Sequence, residues 1–372
     1  FVIDGLFVSE TVDHADSVGA GPGFASFPIS APPATGFYDM QLTGYPNDDC
    51  TGTPIATMTL LPGPSLASAV EVIPPSVAVI DPTATIGNNV TFGGTVTIKA
   101  GAIIGDRVAL GDAVVVGRNT TVEADAVLDQ GTTVGANSLI GAGTNLTFVV
   151  NGIFTPTTIG NKVTIGSNAL VIGANIKKNT VIGTGAEIRS VVNFDQTTPL
   201  LVTVGRNASV GDGSKVIGSV VRNGAVIGSD VEIRYIVNGI FVPSTIGRNV
   251  SVGDGSLIGG TLIKANATLA SGVSTATGTK IGRRVSVGTG SSFGSHTTVK
   301  RNASVGDNVQ AGDYLMIRKG VVLGNNISIG NNVDLGKNSS VGNNVTIGND
   351  VTVRPGANVP DGSVIPDGSI FR

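Results

Sequence analysis

The chain has 372 residues and a formal net charge of −3, and 54 of its residues are glycine, about double the usual share of roughly 7%. Aromatic residues make up only 4% and charged residues 13%, and tryptophan is absent, yet the apolar fraction is 41%. Disorder is excluded, because it pairs low hydrophobicity with high net charge, and so is collagen, because the glycines keep no three-residue period. No apolar run approaches the roughly 18 residues of a membrane helix, so no membrane insertion is expected. The near-neutral net charge predicts no nucleic-acid partner from global electrostatics.

The chain starts at Phe1 rather than Met, which suggests removal of an export signal and a secreted, extracellular or cell-surface location. Residues 1–78 read as a short non-repeat segment. An apolar start, Phe1 to Val8, precedes a Gly/Ala/Pro/Ser-rich stretch to Gly36. Two strands are expected, around Phe37 to Leu42 and Pro54 to Leu61, with Pro62 to Ser65 as a linker. This segment is expected to cap the first coil of the repeat region; addition of the Phe1 to Val8 strand to another subunit is the alternative. Phe1, Ile3 and Phe7 are therefore candidate assembly contacts. Cys50 is the one cysteine, so no intramolecular disulfide exists. Asp48-Asp49 and Asp13-His14-Ala15-Asp16 lack the regularly spaced oxygen ligands of a calcium loop, and no metal or cofactor is expected.

From Ile80 the pattern changes to a period of six. Aliphatic or aromatic residues recur at Ile86, Phe92, Ile98, Ile104 and onward to Leu146. A second run goes from Leu257 to Phe371 in steps of six, with only Thr275 and Ala311 as weak members. The aliphatic is usually followed by Gly and two turn-prone residues, as in Ile347-Gly348-Asn349-Asp350-Val351-Thr352. A helix at 3.6 residues per turn would spread a six-residue period over all its faces, whereas short strands joined by Gly- or Asn-permitted corners keep every aliphatic pointing one way. Asn and Gly tolerate the positive φ of such corners. The fold expected is an all-β parallel solenoid with an aliphatic core ladder.

Ile86-Gly87-Asn88-Asn89-Val90-Thr91 and Ile329-Gly330-Asn331-Asn332-Val333-Asp334 resemble the hexapeptide repeat of left-handed parallel β-helices, such as the UDP-N-acetylglucosamine acyltransferase-like enzymes. The resemblance implies a single-stranded, triangular left-handed β-helix over residues 79–372 with about 18 residues per coil. An independent sign of that coil lies in the second run. Where the residue after the aliphatic is not Gly it is basic at Lys264, Lys300, Arg318 and Arg354, separated by 36, 18 and 36 residues. These four form a candidate basic column, read first as a solvated edge that discourages lateral strand pairing, with contact to an acidic partner or an anionic surface polymer as the functional alternative.

Residues 79–146 and 257–372 read as regular coils and 147–256 as coils with repeated insertions. Val149-Val150-Asn151-Gly152-Ile153-Phe154 returns as Ile236-Val237-Asn238-Gly239-Ile240-Phe241. Ladder steps of 13 or 16, then 6, 11, 6 and 6, define duplicated units of 42, 45 and 42 residues. Apolar residues at the outward position before the aliphatic, including Ile103, Val115 and Leu139, are candidate assembly contacts. Phe371 joins them because an open terminal coil can pair with another molecule; Pro360 and Pro366 argue against such pairing.

Relatives of this type use a histidine as general base, and only His14 and His296 are present. His296 falls at a corner and His14 lies outside the repeat; two histidines are too few for a three-histidine zinc site. Asn-x-Ser/Thr triplets follow from the hexad itself. The expected function is a structural, self-assembling secreted or surface protein, a homotrimer or head-to-tail filament without catalysis. The alternative is a hexapeptide-repeat acyltransferase-like enzyme.

Overall fold

The computed structural model describes residues 2–3, 6–7, 40–44, 56–60, 78–148, 154–192, 199–234, 236–237 and 240–372. The chain divides into two units, residues 1–77 and 78–372. In the first, Leu6–Phe7, Val2–Ile3, Met40–Gly44 and Ala56–Leu60 form a four-stranded sheet in that order. The expected Phe1 to Val8 strand is instead two short strands folded back on each other, Val2 opposite Phe7 and Ile3 opposite Leu6. Ile3 also pairs with Met40, so this segment is already engaged within its own sheet. The two later strands pair antiparallel from Met40 with Leu60 to Gly44 with Ala56, two to three residues from where the sequence places their starts. Phe1, His14 and Cys50 lie outside the described residues.

The second unit is the solenoid, and among its described residues there is no helix. Three parallel sheets run along it. Sheet I has 16 strands, from Val79–Ile80 to Ile370–Phe371. Sheet II has 15, from Thr85–Ile86 to Asn358–Val359, and sheet III has 15, from Thr91–Phe92 to Val364–Ile365. Most strands are two residues long, one pointing out and one in, and three such strands make a coil. In a regular coil Val116 lies in register between Ile98 and Val134. At about 4.8 Å per strand, sixteen stacked strands extend about 70 Å.

Two side-chain ladders explain why the repeat reads Gly-Asn-Asn or Gly-Asp-Asn. The second turn residue caps the neighbouring coil: Asn325 Oδ1 accepts from the Asp307 N–H at 2.8 Å, Asn343 Oδ1 from the Asn325 N–H at 2.9 Å, and Asp361 Oδ1 from the Asn343 N–H at 2.7 Å. The third turn residue occupies the left-handed region, as Asn326 does at φ 57°. Its side chain continues a second ladder, Asn308 Nδ2 to Asn326 Oδ1 at 3.3 Å and Asn326 Nδ2 to Asn344 Oδ1 at 3.2 Å. A β-branched side chain suffers most in this backbone region, by about 1–2 kcal/mol. Asn326→Val is therefore expected to lower stability by about that amount and Asn326→Gly by less, read as the shift in urea midpoint at constant slope.

Inward positions build one continuous aliphatic core. Its two irregular members are compensated locally. Thr275 is buried, with its hydroxyl bonded to that of Thr261 at 2.8 Å. Ala311 sits beside the larger Phe293 in register, so volume is kept across the pair. Buried Ser and Thr residues on the turns bond to corner carbonyls. Ser214 Oγ donates to the Gly228 carbonyl at 2.7 Å and accepts from the Val231 N–H at 3.0 Å.

The phase slips of residues 147–256 have a simple geometry. All three excursions leave at the same corner, between sheet III and sheet I, on every second coil. They follow Asn145–Thr147, Glu187–Arg189 and Glu232–Arg234. The second carries a hairpin of Val191–Val192 with Pro199–Leu200, and the third one of Ile236–Val237 with Ile240–Phe241. The ladder step of 11 is not a gap: Val171, Val216 and Ile258 point inward within it. The intervening turn is one residue short, and Gly173, Gly218 and Gly260, at φ 54°, 52° and 52°, make the tighter corner.

Candidate functional site

The coils with excursions carry a groove on the outer side of sheet I. Its floor is Thr203, Val220 and Val221, and its rim is the turn leading to sheet II, with Lys177, Gly205, Arg206, Arg222, Asn223 and Arg248. The groove has a volume of about 330 Å³. Lys177 and Arg222 occupy the first turn position, directly after Asn175–Ile176 and Val220–Val221. Arg206 and Arg248 occupy the second, after Thr203–Val204 and Thr245–Ile246. Stacked coils thus bring four cations from four successive turns to one rim. Among the described residues no carboxylate or histidine lines the groove, and its backbone is held by the corner ladder, in which Asn223 Oδ1 accepts from the Arg206 N–H at 3.0 Å. The arrangement suits an anion with several oxygens, which guanidinium groups bind in forked geometry.

The predicted basic column lies on the same corner. Lys264, Lys300, Arg318 and Arg354 each follow a sheet I strand, Leu262–Ile263, Thr298–Val299, Met316–Ile317 and Thr352–Val353. Arg318 is tied to Asp334 on the next sheet I strand, with Nε and Nη2 at 2.7 and 2.6 Å from the two carboxylate oxygens. That hydrogen-bonded pair raises the Arg318 pKa above its ordinary value. Lys177 and Arg222 belong to the same column, and Arg206 and Arg248 stand one position further along the turn.

The candidate assembly residues do not share a face. Ile103 and Leu139 point out from sheet II and Val115 from sheet I. Phe371 is an inward ladder residue, half-buried and packed on the core beside Val353. Sheet II collects exposed aliphatics on alternate strands at its N-terminal end, with Ile103, Val181 and Val226 each about half exposed. His296 is exposed at the corner from sheet III to sheet I, at φ 58°. Its ring stacks on Tyr314 with centroids 5.0 Å apart, three sheet I strands beyond the groove and at a different corner. No cluster of metal-ligating side chains exists among the described residues.

The hexapeptide repeat of succinyl-transferase matches residues 83–115, 108–147 and 156–189. The matched stretches place the hexapeptide repeat in the N-terminal half of the solenoid, a left-handed parallel β-helix of stacked three-strand coils. No curated protein matches it. Among solved structures it is similar to a putative acetyltransferase of Bacillus cereus, at 21% identity and a TM-score of 0.26 over 40% of this chain and 77% of that one. It is similar also to the UDP-N-acetylglucosamine acyltransferases of Francisella novicida and Arabidopsis. The first has 16% identity, a TM-score of 0.22 and coverage of 74% and 67%. The second has 17% identity, a TM-score of 0.23 and coverage of 61% and 70%. The expectation of a structural, self-assembling and non-catalytic protein is corrected here, because the repeat that matches is a transferase repeat.

Proposed function

We propose that the chain is an acyltransferase-like hexapeptide-repeat protein whose sheet I groove holds the phosphorylated part of a substrate. The observation that carries this reading is the transferase repeat, whose last matched stretch, residues 156–189, includes the first rim residue, Lys177. The groove supports it through its charge: four cations and the side-chain amide of Asn223 fit a phosphate or diphosphate. The groove lining contributes binding and orientation, and the acceptor brings the attacking hydroxyl or amine. Titration of the protein with coenzyme A and acetyl-CoA by calorimetry tests the reading. One-site binding is expected. Arg206→Ala/Arg222→Ala is expected to weaken it about tenfold or more, since hydrogen bonds to charged groups contribute about 1.5–3 kcal/mol each and tenfold is about 1.4 kcal/mol. Thiol release from acetyl-CoA with amino-sugar and hydroxyl acceptors gives the activity readout. Absence of both binding and thiol release overturns the reading.

A further inference from the structure

The net charge of −3 conceals a segregation of charge by corner. Of the 23 lysines and arginines, 17 lie in the short turns from sheet I to sheet II. Those turns contain a single acidic residue, Asp81, at the N-terminal end of the solenoid. Among the described residues, the turns from sheet II to sheet III and from sheet III to sheet I hold 13 acidic residues and one cation, Arg107, which is paired with Asp125 at 2.7 Å. Because each coil stacks in register on the last, the cations form a ridge along one edge, about one charge for each 4–5 Å of axis. They are exposed at Arg283, Lys300 and Arg301, well beyond the groove.

We infer that this ridge is a docking edge for a linear anionic polysaccharide, with carboxylate or sulfate groups along its length. Charge complementarity carries the inference: like charges at this spacing repel one another, and a polyanion lying parallel to the edge neutralises them in series and releases its counterions. The polymer class follows from what accompanies the charge. Third-position asparagines such as Asn179, Asn207 and Asn249 directly follow cations and are exposed; each ladder bond, such as Asn179 Nδ2 to Asn207 Oδ1 at 3.0 Å, uses only part of an amide's capacity, and the remaining donors and acceptors match sugar hydroxyls. The turns of this corner hold no aromatic residue, so unpaired bases find no stacking platform. Duplex DNA carries its phosphates around a helical turn of about 34 Å and would leave a straight ridge of about 70 Å between contacts. The inference is independent of the transferase reading, because the ridge continues over coils that the groove does not include.

The test compares binding of fluorescent polygalacturonate, dextran sulfate, neutral dextran and a single-stranded DNA oligonucleotide of matched charge at about 50 mM and about 200 mM salt. The wild-type chain is expected to bind at least one of the two anionic polysaccharides, more weakly at the higher salt, and not the neutral dextran. Preference between the two distinguishes carboxylate from sulfate. Arg283→Glu/Lys300→Glu/Arg301→Glu is expected to weaken binding about tenfold or more, with an unchanged circular-dichroism melt and unchanged coenzyme A titration. Arg206→Ala/Arg222→Ala is expected to lose coenzyme A affinity with a much smaller change in polymer binding. No binding of either polysaccharide at the lower salt, equal binding by the triple variant, or tighter binding of the oligonucleotide than of both polysaccharides overturns the inference.

Discussion

Replacing Ile188 by alanine is expected to destabilise the solenoid by about 2–5 kcal/mol. Ile188 is fully buried and lies in register between Val171 and Val216, each also buried. Removing its outer carbons leaves a void that the neighbouring coils cannot close, because their backbones are fixed by ladder hydrogen bonds on both sides, such as Glu187 N–H to the Ser214 carbonyl at 2.9 Å. The consequence reaches beyond one site. A solenoid is nearly one-dimensional, each coil touching only the coils above and below, so its cooperativity passes through every interface in series. Ile188 sits mid-stack, beside the second excursion, and weakening it is expected to broaden or split the urea transition as well as shift it. Ile103→Ala is the control: Ile103 is 48% exposed, and its loss is expected to stay within about 0.5 kcal/mol. Urea unfolding followed by circular dichroism reads both. A single transition with an unchanged midpoint for Ile188→Ala would contradict this account of the core.

The core was readable from the sequence because its physics is periodic. One inward aliphatic per short strand, repeated at six residues, admits few structures other than stacked coils, and Ile98, Val116 and Val134 lie as that period requires. The charged edge was only partly readable. The spacing of Lys264, Lys300, Arg318 and Arg354 by multiples of 18 places them on one corner, and they are there. Lys177 and Arg222 belong to the same column but are 45 residues apart, because an excursion and a turn shortened at Gly218 lie between them. The spacing rule fails wherever a coil is not of full length. Arg206, Arg248, Arg283 and Arg301 stand one turn position later, out of step with the column, and only the stacked coils show that both positions face the same edge. Net charge could not reveal the ridge, since 13 of the 26 acids that cancel it stand at the other two corners and eight more lie in residues 1–77.

Proline separates the interior of the stack from its last coils, and the second large effect arises from that difference. Gly342 follows the sheet II strand Ser340–Val341 and donates its N–H to the Val359 carbonyl at 2.8 Å. One coil on, the same turn position is Pro360, after Asn358–Val359, the last strand of its sheet. Pro366 holds the matching place after Val364–Ile365, the last strand of sheet III, where Gly348 one coil earlier donates to the Ile365 carbonyl at 2.9 Å. Proline thus stands where the described stack offers no carbonyl to receive an N–H, and glycine stands where one is required. Gly342→Pro removes that ladder bond and drives the ring into the stacked carbonyl, an effect of about 3 kcal/mol or more. The site is crowded besides, since a Cβ on Gly342 would come within 2.6 Å of the Asp361 nitrogen. Pro360→Gly breaks no ladder bond and is expected to change stability by about 1 kcal/mol or less, chiefly through the unfolded chain. Thermal unfolding of the two variants distinguishes the cases: a large loss for Gly342→Pro beside a small change for Pro360→Gly identifies the stacked corner, where the N–H is donated and no Cβ fits, as a principal constraint on this fold. Equal losses would mean that the corner shape of proline, and not the missing donor, decides its place.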